Sequence, residues 1–301
     1  SLALPTNYPA KRELSLRSSM TNSLATADLQ RKAVRLRRLL LQAITHAGAG
    51  HTGGSLSCVD ILSVLYNRVL NVSPQRRDDP LRDRYVQSKG HSVEALYAVL
   101  ADRGFFPESE LDTLCRYQSA FVGHPTRKIP GIEMNTGALG HGLPICVGMA
   151  LAGKLDDAPW RVFTLLGDGE LAEGSNWEGA MSAAHHKLDN LTAILDHNTL
   201  QITGRTRDVC SNEPVDEKFR AFGWHVEEVD GHDFAALENV LSAANPLDQP
   251  KLVIANTVKG RGVSFMENVV KWHHGVPSDK EYAAALREFD EAEAALEGVG
   301  R

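Results

Sequence analysis

Cysteine is scarce in this chain and poorly placed for chemistry. Only four occur in 301 residues: Cys58, Cys115, Cys146 and Cys210. They lie far apart and none shares a C-x-x-C spacing, which argues against zinc and against a secreted disulfide framework. A reducing cytoplasm is the natural compartment. Long apolar runs are missing too. None reaches the roughly 18 residues of a membrane helix, so no membrane partner is expected. The stretch "SLALPTNYPAKRELSLRSSMTNS" lacks the apolar core of a signal peptide. Residues 1–26 are expected to be a flexible leader and 27–301 a single domain. Basic blocks are absent apart from "RKAVRLRR", which sits in a helical pattern and is expected to be a solvated helix face. With a net charge of −6, no nucleic-acid footprint emerges. Internal repeats, low-complexity segments and a G-x-G-x-x-G fingerprint after the first strand are also missing, and the last absence argues against a dinucleotide-binding protein.

What remains is an ordinary globular composition, 43% hydrophobic and 23% charged. Helical spacing from Ala27 to about His46 ends at the glycine-rich loop "HAGAGHTGGSLS", and a second helix is expected over roughly Ser57–Leu70. Short β-type runs then alternate with helical patterns: "RYVQS", "IEMNT", "RVFTLLG", "LTAILD", "HVEEVD" and "KLVIANT". Helices are expected between them at Val93–Arg103, His141–Leu155, Ser175–Lys187 and Phe234–Ala244. The last 20 residues should form a surface helix. This alternation predicts an α/β fold, a parallel sheet with helices on both faces.

Sites in such sheets form beyond the carboxyl ends of the strands. Here "SKGH" follows "RYVQ", "GDG" follows "RVFTLL", "HN" follows "LTAILD" and "TVKGRG" follows "KLVIAN". In "GDG", Gly167 and Gly169 permit close backbone approach to a ligand, and Asp168 is a hard oxygen donor. Mg²⁺ is usually shared between one or two protein oxygens and substrate phosphates. Asp168, the side-chain oxygen of Asn198 at the next strand end and a carbonyl near Leu200 would supply that set. The chain also carries 12 histidines, four of them in glycine-bearing loops, and imidazole is the group for proton transfer near neutral pH.

The stretch "GDGELAEGSNWEGA…LDNLTAILDHNTLQITG" resembles the thiamine-diphosphate motif, and its G-D-G-x-x-x-E-G continuation resembles that of transketolases. "GHTGGSLS", "RYVQSKGHSVEALYAVL" and "GHPTRKIPGIEMNTGALGHGLPICVGMAL" are similar to the three histidine loops of that family, in the same order. The resemblance runs from about Ala27 to "HHGVP" at 273–277. It implies the diphosphate-binding domain of the thiamine-diphosphate fold. Asp168, Asn198 and the Leu200 carbonyl are implied as ligands of Mg²⁺, with Ca²⁺ or Mn²⁺ as substitutes. Gly169, His91 and His274 would contact the diphosphate, and Gly137 and Leu139 the aminopyrimidine through their backbones. His51, His91, His124 and His274 would face the substrate, with His51 and His274 as candidate proton-transfer groups. Glu173 and Glu178 match acidic residues of the cofactor-proximal subunit contact that activates the cofactor, and Glu173 is expected among the catalytic and cofactor-binding residues. Glu170 has no such match and is expected to be solvated. His141 stands where glutamine is common. His46, His185, His186, His197, His225 and His232 are expected to be polar surface residues, and Trp177 and Trp272 packing residues.

Transketolases of the usual size carry two further domains. The resemblance therefore implies the amino-terminal subunit of a split transketolase, a transferase moving a two-carbon ketol unit from a ketose phosphate of the xylulose 5-phosphate class to an aldose phosphate. The implied partner is a C-terminal chain with the pyrimidine-binding and C-terminal domains, in a heterotetramer. Related alternatives are a 1-deoxyxylulose-5-phosphate synthase, the α subunit of a 2-oxoacid dehydrogenase, or a non-catalytic cofactor-binding homologue. The G-x-x-x-E-G continuation and "GHP" at 123–125 favour transketolase over the first two. Retention of Asp168, Asn198 and the histidines disfavours the last.

Overall fold

The computed structural model describes residues 26–298, so the leader expected over residues 1–26 lies, Thr26 apart, outside the described residues. The apolar residues of helix α1 (Thr26–Ala47) recur every three or four positions, and Leu29, Leu36, Leu40 and Ile44 are fully buried. Truncating one of them, such as Leu40, to alanine would cost about 2–5 kcal/mol. Helix α2 (Thr52–Val64) begins earlier than the glycines at 53 and 54 suggested and runs into a single π turn at Leu65–Val69. All thirteen of its residues are buried. Such an enclosed helix tolerates glycine, because packing rather than propensity holds it.

Strand β1 (Arg84–Gln87) follows, then α3 (Val93–Asp102), α4 (Gly142–Leu155), β2 (Val162–Gly167), α5 (Gly174–His185) and β3 (Leu191–His197). A small antiparallel hairpin, β4 (Leu200–Gln201) and β5 (Gly204–Arg205), leads through one turn, α6 (Thr206–Val209), into α7 (Val215–Phe222), which the sequence pattern missed. The remaining elements are β6 (His225–Asp230), α8 (Phe234–Ser242), β7 (Lys251–Asn256) and α9 (Asp279–Gly298). The run "IEMNT" is not a strand. Thr136 there donates its hydroxyl to the Gln87 carbonyl at 2.7 Å, pinning the segment as a loop across the end of β1.

The five long strands form one parallel sheet in the order β1-β2-β3-β7-β6. Alternation along each strand splits the core in two. Phe163, Leu165, Ile194, Val253 and Ala255 pack with α1, α2, α3, α8 and α9. Val162, Leu166, Leu191, Ala193, Leu195, Leu252 and Ile254 pack with α4, α5 and α7. The two-residue period thereby decides where polar strand residues point. Asp196, two on from Ile194, faces α2. The basic run in α1 is only partly the solvated face expected of it, because Arg37 is 6% exposed and paired with Asp60 of α2 at 2.7 Å.

Chain direction across the sheet reverses between β3 and β7. The chain reaches β3 from β2, leaves for the edge strand β6, and returns inward to β7. The crevice beyond the carboxyl ends of β3 and β7 is therefore the place where such a sheet takes a ligand.

Candidate active site

Asn198 follows β3 and Lys259 lies just past β7, on either side of that crevice. Asp168, at the end of β2, is 6% exposed and Asn198 4%. One Asp168 oxygen accepts the Gly169 N–H at 2.7 Å and the other the N–H of Thr199, whose backbone is left-handed at φ +64°. Asn198 Oδ1 accepts the Leu200 N–H at 3.2 Å. Burial first, and then the Asp196 carboxylate, push the Asp168 carboxyl up to about 6. This is a buried acid in need of a cation. The neighbouring Leu200 carbonyl already accepts the Lys259 ammonium at 2.8 Å. Gln201 Oε1, 3.3 Å from where a Gly169 Cβ would sit, is buried without a hydrogen-bond partner among the described residues. Among the described residues no three His, Cys, Asp or Glu side chains group as metal ligands. One carboxylate, one amide and one carbonyl instead make an all-oxygen set of the kind that completes a divalent ion shared with phosphate oxygens. The residues fit a diphosphate–metal pair.

Beside this set lies a group of imidazoles. The His51 ring centroid is 4.7 Å from that of His274, 5.2 Å from His91, 5.8 Å from His273 and 6.1 Å from His124. His51 is carried by the turn into α2, where its N–H donates to Glu94 Oε1 at 3.1 Å and a β-bridge ties it to Gly275. His91 follows β1. The His124 ring packs on Gly137, whose φ of +136° suits glycine and where a Cβ would come within 2.5 Å of that ring. The Leu139 carbonyl meets His141 Nδ1 at 3.1 Å. Burial first, and nearby charge second, favour the neutral form of three of these rings. Burial, then His274, lower His51 to about 4; burial, then Lys259, lower His273 to about 3; burial, then Lys89, take His91 well below the usual imidazole value.

All four histidines selected from the sequence meet here, and His273 joins them. Its ring stacks on His91 at 5.4 Å and its Nδ1 lies 2.8 Å from Lys259 Nζ. Lys89, Lys259 and Asp196 were passed over in sequence. Lys89 is 1% exposed, reaches the Gly54 carbonyl at 3.1 Å and pairs with Asp196. Burial opposes its charge, but Asp196 outweighs burial and holds the lysine above its ordinary value. Lys259 forms no carboxylate ion pair among the described residues, and burial, then Lys89, bring it down to about 8 against the weaker pull of Asp168 and Asp196. The signal for both was a lysine in a glycine-bearing strand-end loop, "SKGH" and "VKGRG".

Two expectations are corrected. Glu170 is not solvated: it is 2% exposed and accepts from Ser88 Oγ at 2.5 Å, Gly140 N at 2.9 Å and Gly167 N at 3.0 Å. It joins the ends of β1 and β2 to the turn before α4, and burial raises its carboxyl above the usual range. His232 is not a surface residue either, since its side chain is 10% exposed and bonded to Asp60. Glu173 and Glu178 are exposed on the amino-terminal half of α5 or just before it. Trp272 is buried and Trp177 half-buried, as packing residues.

An open parallel sheet with an oxygen set, two lysines and a histidine cluster at its carboxyl rim defines a diphosphate-cofactor-binding α/β domain. Residues 29–292 match the family model of the transketolase thiamine diphosphate binding domain, and the chain belongs to that family. It is 46% identical over 87% of its length to an apulose-4-phosphate transketolase subunit from Phocaeicola vulgatus, covering 94% of that protein. It is 42% identical over 87% of its length to the 6-deoxy-6-sulfo-D-fructose transketolase subunit of a Clostridium species, covering 96% of it. Its fold matches a transketolase from Leishmania mexicana with a TM-score of 0.77 and 26% identity over 90% of this chain. It spans 46% of that longer protein. The chain is thus one component of a transketolase, a transferase, and it binds thiamine diphosphate. No helix among the described residues is long and apolar enough to cross a membrane.

Proposed function

We propose that this chain is the cofactor-holding half of a two-chain transketolase, active only with a C-terminal partner subunit in a heterotetramer of two chains each. It transfers a two-carbon ketol unit from a ketose phosphate of the xylulose 5-phosphate class to an aldose phosphate. The observation that carries the reading is the convergence of five histidines beside the buried Asp168–Asn198–Leu200 oxygens. The near-complete coverage of two relatives named as transketolase subunits supports the division into two chains.

Asp168, Asn198 and the Leu200 carbonyl hold Mg²⁺, and Lys259 with His91, His274 and the Gly169 amide face the diphosphate. When bound, thiamine diphosphate supplies the electron sink for breaking and forming the ketose carbon–carbon bond. The Gly137 and Leu139 backbones border the cofactor ring. His51 and His274, adjacent and with His51 neutral, take and return hydroxyl protons of the sugar, and His124 orients it from the exposed side. A neutral imidazole at working pH is a competent acceptor, and burial first, then the neighbouring His274, keep His51 so. Glu173, exposed just before α5, and Glu178 meet the neighbouring subunit. Two of the four free cysteines are buried and none is bonded, which suits a cytoplasmic protein.

Titration of thiamine diphosphate with Mg²⁺ into the chain tests the cofactor site. Binding should be measurable for wild type and reduced at least tenfold in Asp168→Ala. Equal affinity of the two proteins refutes the assignment. The named relatives make apulose 4-phosphate and 6-deoxy-6-sulfo-D-fructose the donors to try beside xylulose 5-phosphate.

A further inference from the structure

A buried polar chain beneath the site has no part in the chemistry above. Arg37 of α1 donates from Nη2 to Asp60 Oδ2 at 2.7 Å and from Nε to the Arg261 carbonyl at 3.0 Å. His232, in the turn between β6 and α8, lies with Nδ1 2.7 Å from the same Asp60 oxygen, and its Nε2 is 2.9 Å from the Val258 nitrogen. The Val258 N–H can only donate, so Nε2 accepts and the proton sits on Nδ1, which donates to Asp60. Asp233, the next residue, caps α8 through the Ala235 and Ala236 amides and so fixes where His232 starts from. Asp60 is 3% exposed; burial pushes its carboxyl up, but the Arg37 guanidinium and His232 outweigh it and hold the carboxyl below the usual range.

The placement of the two backbone contacts matters. Val258 and Arg261 bracket Lys259, the lysine that reaches the Leu200 carbonyl and His273. Between them Gly260 N donates to the Gly53 carbonyl at 3.0 Å. At Gly262, φ +90°, a Cβ would come within 2.9 Å of Arg37 Cδ. Asp60 belongs to α2, and His51 immediately precedes that helix. One carboxylate therefore ties the helix that presents His51 to the loop that presents Lys259.

We infer that Arg37, Asp60 and His232 form a clamp of positioning residues that sets Lys259 against the oxygen set and fixes its distance from His51. The inference rests on the functional reading above only in assigning Lys259 to the diphosphate. The clamp itself is a statement about this chain.

Two measurements on the full chain separate the two. Hydrogen exchange of the segment 256–262 reads the clamp without any cofactor, and titration with thiamine diphosphate and Mg²⁺ reads its consequence. His232→Leu, which keeps the bulk and loses both bonds, should speed exchange at Val258 at least tenfold and weaken cofactor binding about tenfold at a temperature where it is fully folded. His232→Gln, which keeps one donor and one acceptor, should restore both to within about threefold. Leu188→Ala, in the opposite core layer, should lower the melting temperature without moving either readout. Unchanged exchange in His232→Leu overturns the clamp, as does an equal loss in Leu188→Ala, which would reduce the effect to general destabilisation. Faster exchange with no cofactor binding in any variant, wild type included, upholds the clamp and sinks the functional reading.

Discussion

Replacing Glu170 with glutamine tests whether this buried acid holds the site together. Its two oxygens take three donors: the Ser88 hydroxyl and Gly140 N–H on one, the Gly167 N–H on the other. Glutamine has the same shape but can accept on only one oxygen. Placing its carbonyl toward Ser88 and Gly140 turns an NH₂ group against the Gly167 N–H, leaving two buried donors facing each other. An unsatisfied buried donor costs about 1–3 kcal/mol, so a loss of about 2 kcal/mol is the central expectation. For a domain of this size that is a fall of about 4–8 °C in melting temperature. Alanine strips the acceptor from all three donors and should cost more, about 3–6 kcal/mol. The assay is urea and thermal unfolding of wild type, Glu170→Gln and Glu170→Ala. A glutamine variant melting within a degree of wild type would refute the reasoning, since an isosteric change can be harmless only if the acid is not the acceptor of all three.

Three further outcomes follow from the same physics. Lys89→Met leaves Asp196 buried with only the Ser57 and Thr257 hydroxyls, and breaking such a pair costs about 3–5 kcal/mol; adding Asp196→Asn should recover most of the loss in chemical denaturation, and a double variant no better than the single counts against a pair. His51, His91 and His273 have folded-state pKa values below the ordinary imidazole value, so the unfolded chain takes up protons first as pH falls below about 6.5. Their contribution is therefore complete above that pH and lost toward pH 4; the melting temperature of His91→Gln should fall less steeply from pH 7 to 4.5 than that of wild type, and parallel curves refute the cluster's role. Glu173→Ala should leave the melting temperature of the isolated chain within about a degree while weakening capture of the C-terminal partner in pull-down; undiminished capture removes Glu173 from the contact.

Much of this architecture could be read from residue order. Near-continuous apolar runs marked β2, β3 and β7 because strands buried on both faces need no polar alternation. The edge strand β6, "HVEEVD", does not alternate: Val226 and Val229, three residues apart, pack in opposite core layers. "IEMNT" misled because its apolar residues pack as a loop over the end of β1, a context no local pattern carries. Helix α7 was missed for the opposite reason, since only Val215 and Phe219 of its eight residues are buried. In the site, "GDG", Asn198 and the loop histidines were visible because their residue types suit metal and proton chemistry. Glu170, Lys89, Asp196 and the His232–Asp60 pair were not, because their importance comes from partners 82, 107 and 172 residues away in the chain. Of the adjacent pair His273–His274, only His274 is selected from sequence. In the fold both rings join the cluster, with His273 against Lys259 and His91.

The most direct test of the account is ketol transfer by the reconstituted two-chain complex, with thiamine diphosphate, Mg²⁺, and xylulose 5-phosphate or apulose 4-phosphate as donor to an aldose phosphate. The account predicts turnover by the complex, none by this chain alone, and none by a complex carrying Asn198→Ala. Robust transfer by this chain alone, or undiminished transfer with Asn198→Ala, would contradict it.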